Sequence, residues 1–210
     1  MNSITCPSCG ASNALPNPAV VSVVCPYCDN ISYIDKEGVR LSGKQSRLSE
    51  GFSRLYRGGS GSIKDKKFIV RGRVRYSYGR GFWDEWYIEW EDGNTGWITE
   101  DNHQFSLQTE VHIRKNQIQA VQEVGNIITV RTTQFKILEV GMARCLGIEG
   151  ALPSDITPDE EYRFIDGVSV DGSRTLGLEF DEGVDQPPRS YMGEWVEHKD
   201  LIMEDNNYAW

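Results

Sequence analysis

Histidine is scarce in this chain: among 210 residues there are only His103, His112 and His198. None lies in His-Glu-x-x-His or at a paired ligand spacing, which removes the common histidine-built hydrolytic metal site. A Gly-x-Ser-x-Gly elbow and a dinucleotide-binding glycine fingerprint are also missing. The run Gly58-Gly59-Ser60-Gly61-Ser62 is no phosphate loop, because no Gly-Lys-Ser/Thr follows it. With no set of nucleophile, base and oxyanion donor to assign, the expectation is a protein that is not an enzyme. No apolar run reaches eighteen residues, so no membrane-spanning helix is expected. No basic residue and no apolar stretch precede Cys6, so the N-terminus does not read as a signal peptide and a reducing cytoplasm is the expected location.

Cysteine is also sparse, but it is concentrated. Four of the five cysteines form two close pairs, Cys6-Pro7-Ser8-Cys9-Gly10 and Cys25-Pro26-Tyr27-Cys28-Asp29. In a Cys-x-x-Cys turn both sulfurs can reach one metal, and Gly10 or Asp29 just after it tolerates the backbone conformation that the turn needs. Two such knuckles supply a closed shell of four thiolates, so Cys6, Cys9, Cys25 and Cys28 are expected to hold one structural Zn2+ with no open position for a substrate. A redox pair would come singly within a βαβ pattern, which is absent. The β-rich Val20–Val24, the alternating Ile31–Ile34 and a turn at Gly38 fit a zinc ribbon over residues 1–35. Cys145 stands alone beside Arg144 and reads as a buried, inert thiol.

The formal charge of -9 argues against general nucleic-acid affinity. Its distribution is uneven: residues 1–80 carry 13 Lys/Arg against 5 Asp/Glu, and residues 81–210 carry 9 against 26. Self-complementarity, within the molecule or between copies, follows from such opposed charge. Residues 36–62 form a basic linker, in which Leu48, Phe52, Leu55 and Tyr56 fall at helical spacing and predict a short amphipathic helix. Lys44, Arg47, Arg54 and Arg57 with Phe52 and Tyr56 would make a partner-facing patch. The alternative is a solvated face on a packed helix.

From Lys67 the period becomes two, and a mainly β, mostly antiparallel domain is expected over residues 63–203. Phe68–Tyr76 reads as a strand bent at Gly72. Trp86–Trp90 and Gly96–Thr99 read as a hairpin about a turn at Glu91–Asn94. Phe135–Gly141 resembles the first strand, Leu176–Gly183 the second and Glu194–Val196 the third. Residues 63–110 and 126–203 are therefore expected as duplicated, barrel-like halves packed against each other. Short helical turns are expected at Asn116–Glu123 and from Pro158. The segment Trp83-Asp84-Glu85-Trp86 is the densest aromatic–acidic stretch. It could be a recognition surface for a basic partner or a carboxylate site; the alternative is a core strand whose acids meet Arg71, Arg73 and Arg75 across the hairpin. Residues 204–210 form an acidic–aromatic tail, read as a loose end or a docking strand.

The block Lys67–Tyr76, followed by Trp83–Tyr87 and Asp92-Gly93 through Gly96-Trp97-Ile98, resembles a bacterial family known only as domain of unknown function 4178. Gly147–Pro153 is similar to a Gly-Glu-Leu-Pro element of that family, although Gly150-Ala151 separates Glu149 from Leu152-Pro153 here. The resemblance covers about 60–200. Some members also carry an N-terminal two-knuckle zinc ribbon, and members are thought to lie in operons beside polyamine-synthesis enzymes and small membrane proteins. It implies an accessory role and no catalytic residues.

The expected function is therefore a cytoplasmic, non-enzymatic adaptor or assembly component that binds another protein or itself. Trp83, Asp84, Glu85, Trp86, Arg47, Arg54 and Arg57 are its candidate partner-binding residues. The rival is a nucleic-acid binder using the ribbon and the basic residues 36–80, whose affinity would fall steeply with salt.

Overall fold

The structure is a computed structural model that describes residues 2–49, 51–118, 123–181 and 187–204. Two short hairpins open the chain. β1 (Asn2–Thr5) pairs with β2 (Ser12–Leu15) across the first Cys-x-x-Cys, and β3 (Ser22–Val24) pairs with β4 (Asn30–Asp35) across the second. Asp29 and Gly10, the residues after the two knuckles, both take positive φ (58° and 78°). The sequence anticipates this by placing there residue types that tolerate it. β5 (Gly38–Gln45) adds to β4 after a turn at Asp35–Gly38.

β6 (Ser60–Ile63) leads into a four-stranded meander: β7 (Lys66–Ser77), β8 (Phe82–Trp90), β9 (Thr95–Asp101) and β10 (Gln104–Glu110). One helical turn, α1 (Lys115–Ile118), and β11 (Ile127–Val130) precede a second meander. This comprises β12 (Thr133–Leu152), β13 (Glu161–Ser169), β14 (Arg174–Asp181) and β15 (Arg189–Val196), and β16 (Leu201–Met203) then pairs with β6. The meanders join at both ends, because β7 pairs with β12 and β10 pairs with β15, all antiparallel. The result is one closed ring of eight strands, β7-β8-β9-β10-β15-β14-β13-β12. Closure removes the free edges that two open halves would have exposed.

This refines the expected duplication. The halves are not two barrels packed together but two meanders that complete one, first strand against first and last against last, as a two-fold arrangement gives. The correspondence read from the sequence is displaced by one strand. Trp86–Gly93 pairs by sequence with Leu176–Gly183, whose described residues 176–181 lie in β14, whereas the place equivalent to β8 belongs to β13. Pro158 starts no helix: Asp159 turns at φ 75°, and Cys145 exchanges backbone hydrogen bonds with Glu160 and Asp159, so the chain enters β13 directly. The bend at Gly72 is present as a register shift between Val70 and Gly72. A side chain there would meet the Ala151 carbonyl and the Leu152 side chain at 2.6 Å, so glycine is what lets β7 and β12 close the ring.

No helix forms across the described residues of 46–59. The apolar residues at helical spacing go to different places: Leu55 is buried at 2% exposure while Phe52 is 83% exposed. The segment instead runs over the outside of the ring, from β12 of the second meander onto the first. The Ser46 hydroxyl donates to the Ile148 carbonyl and accepts from its N–H (2.7 and 2.6 Å), and the Leu55 N–H is held by Ser53 Oγ at 3.0 Å. The predicted helix at Asn116–Glu123 is realised only as α1, and residues 119–122 of it, like residues 205–210 of the tail, lie outside the described residues.

Strand alternation sorts the side chains onto two faces. Outside the first meander, Phe68, Val70, Trp86, Ile88, Ile98 and Phe105 pack under Leu55, Ile63 and Leu201. Outside the second, Phe135, Ile137, Ile165, Leu176 and Leu178 pack under Val111, Ile113 and Ile118. The third cluster joins the ribbon's Val23, Ile31 and Tyr33 to Val74, Tyr76, Tyr162 and Phe164 of the inner wall.

Candidate metal centre and barrel lumen

The four ribbon thiols converge. Their sulfurs all lie within 4.8 Å of one another, with Cys6–Cys28 at 3.7 Å and Cys9–Cys25 at 3.6 Å. A tetrahedral shell with metal–sulfur bonds of about 2.3 Å has sulfur–sulfur edges of about 3.8 Å, whereas a disulfide needs about 2.05 Å. The spacing therefore suits one metal ion and excludes paired disulfides. The Asn30 backbone N–H and its side-chain amide (3.4 Å to Cys28 Sγ) stabilise the thiolate and draw Cys28 down to about 6. Four thiolates would close such a shell and leave no position open for a substrate.

The ribbon is not merely tethered to the barrel. β3 pairs with the end of β12, Ala151 opposite Val23 and Leu152 opposite Ser22, so the barrel sheet continues into β3, β4 and β5. Asn17 anchors the far side by donating to Glu89 Oε2 at 2.8 Å and accepting from the Tyr87 hydroxyl at 3.4 Å.

Within the ring lies a cavity of about 790 Å³. Small eight-stranded barrels are either filled by side chains or hold one small ligand, and this volume falls in the range of ligand pockets. Its walls are aromatic and acidic. Trp83, Tyr87 and Trp97 come from the first meander and Tyr162, Phe164 and Tyr191 from the second. Trp83 stacks edge-on to Phe164 at 5.5 Å, and Tyr76 to Tyr162 at 5.1 Å, so aromatic contacts cross between the walls. The acids are Glu85, Asp101, Glu110, Glu139, Asp166 and Glu179, against the single lining cation Arg189, whose Nε lies 3.5 Å from Glu179. Burial raises the pKa of Glu85. Enclosure, and then Glu139, Glu85 and Asp101, push Asp166 up to about 7, although lumen solvent reaches its carboxyl. Burial also raises Tyr76 and Tyr162, and the acids Glu85 and Glu179 raise them further.

Alternation separates the residues that the sequence grouped. Trp83 and Glu85 line the lumen, bonded to each other (indole N–H to Glu85 Oε1, 3.1 Å). Asp84 and Trp86 point the other way and are buried, so Asp84 and Glu85 form no joint carboxylate site and the four residues form no common surface. Asp84 is instead the hub of an ion-pair cluster. It accepts from Arg73 Nε and Nη2 (2.9 and 3.1 Å) and from Arg75 Nε and Nη2 (both 2.8 Å). The Trp86 indole donates to Glu100 at 2.9 Å, and burial raises the pKa of Glu100. Arg47, Arg54 and Arg57 are exposed. Arg47 lies 3.9 Å from Asp29 and Arg54 donates to the His198 carbonyl. Cys145 is buried and its thiol is pushed up to about 12, chiefly by burial, so it has no thiolate character at neutral pH.

Tyr162, Phe164, Asp166, Glu179, Arg189 and Tyr191 carry no motif, and the sequence reading passed over them. The one signal available was an aromatic or acid at every second position of β13, matching Trp83, Glu85 and Tyr87 on β8.

A family described as "Domain of unknown function (DUF4178)" matches residues 57–198. That span takes in every strand of the ring and leaves out the ribbon. Comparison with curated proteins and with solved structures found no match.

Proposed function

The chain belongs to the DUF4178 family, and we propose that its barrel is a non-enzymatic binding module that holds a small molecule in the lumen. One observation carries this reading: a ring closed by eight strands leaves about 790 Å³ open inside, while two of its three apolar clusters pack on the outer faces. A barrel serving only as a scaffold would gain by filling that space. The lining offers aromatic rings and carboxyls, and no histidine, lysine or cysteine among the described residues. That composition suits binding better than covalent or acid–base chemistry. The ribbon acts as a buttress stapled by Zn2+. Thiolate ligation requires reduced cysteines, which fits the cytoplasm.

The test is ligand-detected NMR with a fragment set of cationic, neutral and anionic members, repeated on Thr99→Trp, which fills the lumen from β9. Fragments that bind the parent and lose binding in a variant with unchanged far-UV circular dichroism support the reading. A set in which nothing binds, or in which binding ignores Thr99→Trp, overturns it. Metal analysis is expected to give one zinc per chain.

The adaptor reading has a separate support in β5, which ends the sheet, pairs only with β4 among the described residues and is mostly exposed. Such an edge can accept a partner strand. Size-exclusion chromatography at low and high salt tests it; a salt-independent monomer that recruits nothing argues against it. Nucleic-acid binding is less well supported, because Arg73 and Arg75 are buried on Asp84 and Arg71 pairs with Glu89, which breaks up the basic stretch.

A further inference from the structure

We infer that the lumen selects a small organic cation, an ammonium group on an apolar stem, placing the charge among Glu85, Asp166 and Glu179 and the stem against the aromatic wall. This rests on the reading of the lumen as a binding site and adds the class of its ligand.

Three alternatives fit less well. An anion would meet six carboxyls and one guanidinium, and that guanidinium already faces Glu179 at 3.5 Å. A neutral apolar molecule would fill the aromatic part but bury carboxyls without compensation. A divalent metal ion needs several oxygens around one point. Among the described residues the Cys6, Cys9, Cys25 and Cys28 group is the only set of three or more acidic, histidine or cysteine side chains close enough for that. The lumen acids are instead dispersed over β8, β9, β10, β12, β13 and β14.

Two further features point to an occupant with hydrogen-bonding groups. The Tyr162 hydroxyl is on a side chain 5% exposed, lines the cavity and has no hydrogen-bond partner among the described residues. Buried hydroxyls rarely go unpaired, so this one is positioned for a ligand or its water. The Thr175 hydroxyl and the Gln108 Oε1 atom are likewise unpaired, and both lie over Gly193, where a Cβ would stand 2.1 Å from Thr175 Oγ1. Glycine there keeps a polar patch open on the wall of β15. An ammonium supplies donors to the carboxylates and to Gln108 Oε1, and its charge is attracted to the faces of Trp83, Tyr87 and Trp97.

The experiment uses three probes of nearly equal shape: benzylammonium, benzyl alcohol and benzoate. Their dissociation constants are measured with the full chain by chemical-shift titration of the tryptophan indoles. Benzylammonium is expected to bind at least about tenfold tighter than benzyl alcohol, and benzoate more weakly than either. The double variant Glu85→Gln/Glu179→Gln, checked for an unchanged thermal transition, should abolish the preference for the cation and leave benzyl alcohol alone. Equal binding of all three, or preference for benzoate, overturns the inference and leaves the lumen a binding site. Failure of all three overturns both. If the double variant unfolds, Asp166→Asn replaces it with the same expected loss of preference.

Discussion

Asp84 accepts four guanidinium hydrogen bonds on a side chain 6% exposed, and the two arginines that give them are as deeply buried. Such a cluster gains little over an apolar packing of equal volume but is costly to break, because the remaining charges stay in the interior. Asp84→Asn is therefore expected to lower the unfolding free energy by about 3–5 kcal/mol, read as a shift of the urea midpoint at unchanged slope. Asp166 can be followed through its titration. Its pKa is raised, so the folded state keeps a proton that the unfolded chain releases near pH 4. That contribution is fully present below about pH 4 and is lost as pH rises through about 7. Asp166→Asn removes the loss, and the melting temperature of the variant relative to the parent should climb between pH 4 and pH 8. A difference that stays flat with pH would show that Asp166 titrates normally.

At the scale of the element, β12 decides the architecture. Its first half pairs with β11 and β13, its second half with β7, and its last two residues with β3. The crossing with β7 depends on Gly72, so Gly72→Val should destabilise by at least about 1–3 kcal/mol through overpacking. Hydrogen exchange should then quicken first at 72–77 and 144–150, the residues of the closing seam. Much at this scale was legible beforehand. Knuckle spacing placed the four thiols, β-periodicity placed β3, β4, β7, β8 and β9, and the bend at Gly72 came from an isolated glycine in a strand. What was illegible has a physical cause. β13 lacks a clean polar/apolar alternation, because its inner face is a lumen wall that mixes Tyr162, Phe164 and Asp166, and its outer face is buried too. Likewise Leu48–Tyr56 mimicked a helix because residues with different fates, Leu55 buried and Phe52 exposed, happened to fall at helical intervals. Closure itself leaves no trace in a single sequence, since it is a pairing between strands some seventy residues apart.

For the whole molecule, the proposed metal centre and the lumen belong to different halves of the stability. Removing the metal with a chelator should release the ribbon, whose folding free energy comes largely from the ion. The outer-face clusters include no ribbon residue and should keep the ring folded. Hydrogen exchange is the check. Protection is expected to vanish over residues 2–35 and to persist in β9, β10, β14 and β15; simultaneous loss in both would mean that ribbon and barrel unfold as one unit.

The pairing of β3 with β12 also sets an order of events during synthesis. The ribbon leaves the ribosome before the barrel and its thiols can take a metal at once, but Val23 has its partner at Ala151, more than a hundred residues later. At roughly 10 residues per second that is a wait on the order of ten seconds. Throughout it the valines that will face the barrel stand open to water. A metal held by the four thiols would keep a sticky surface in fixed shape until the strand that covers it has been made, and the nascent chain is most exposed to chaperones or aggregation in that interval.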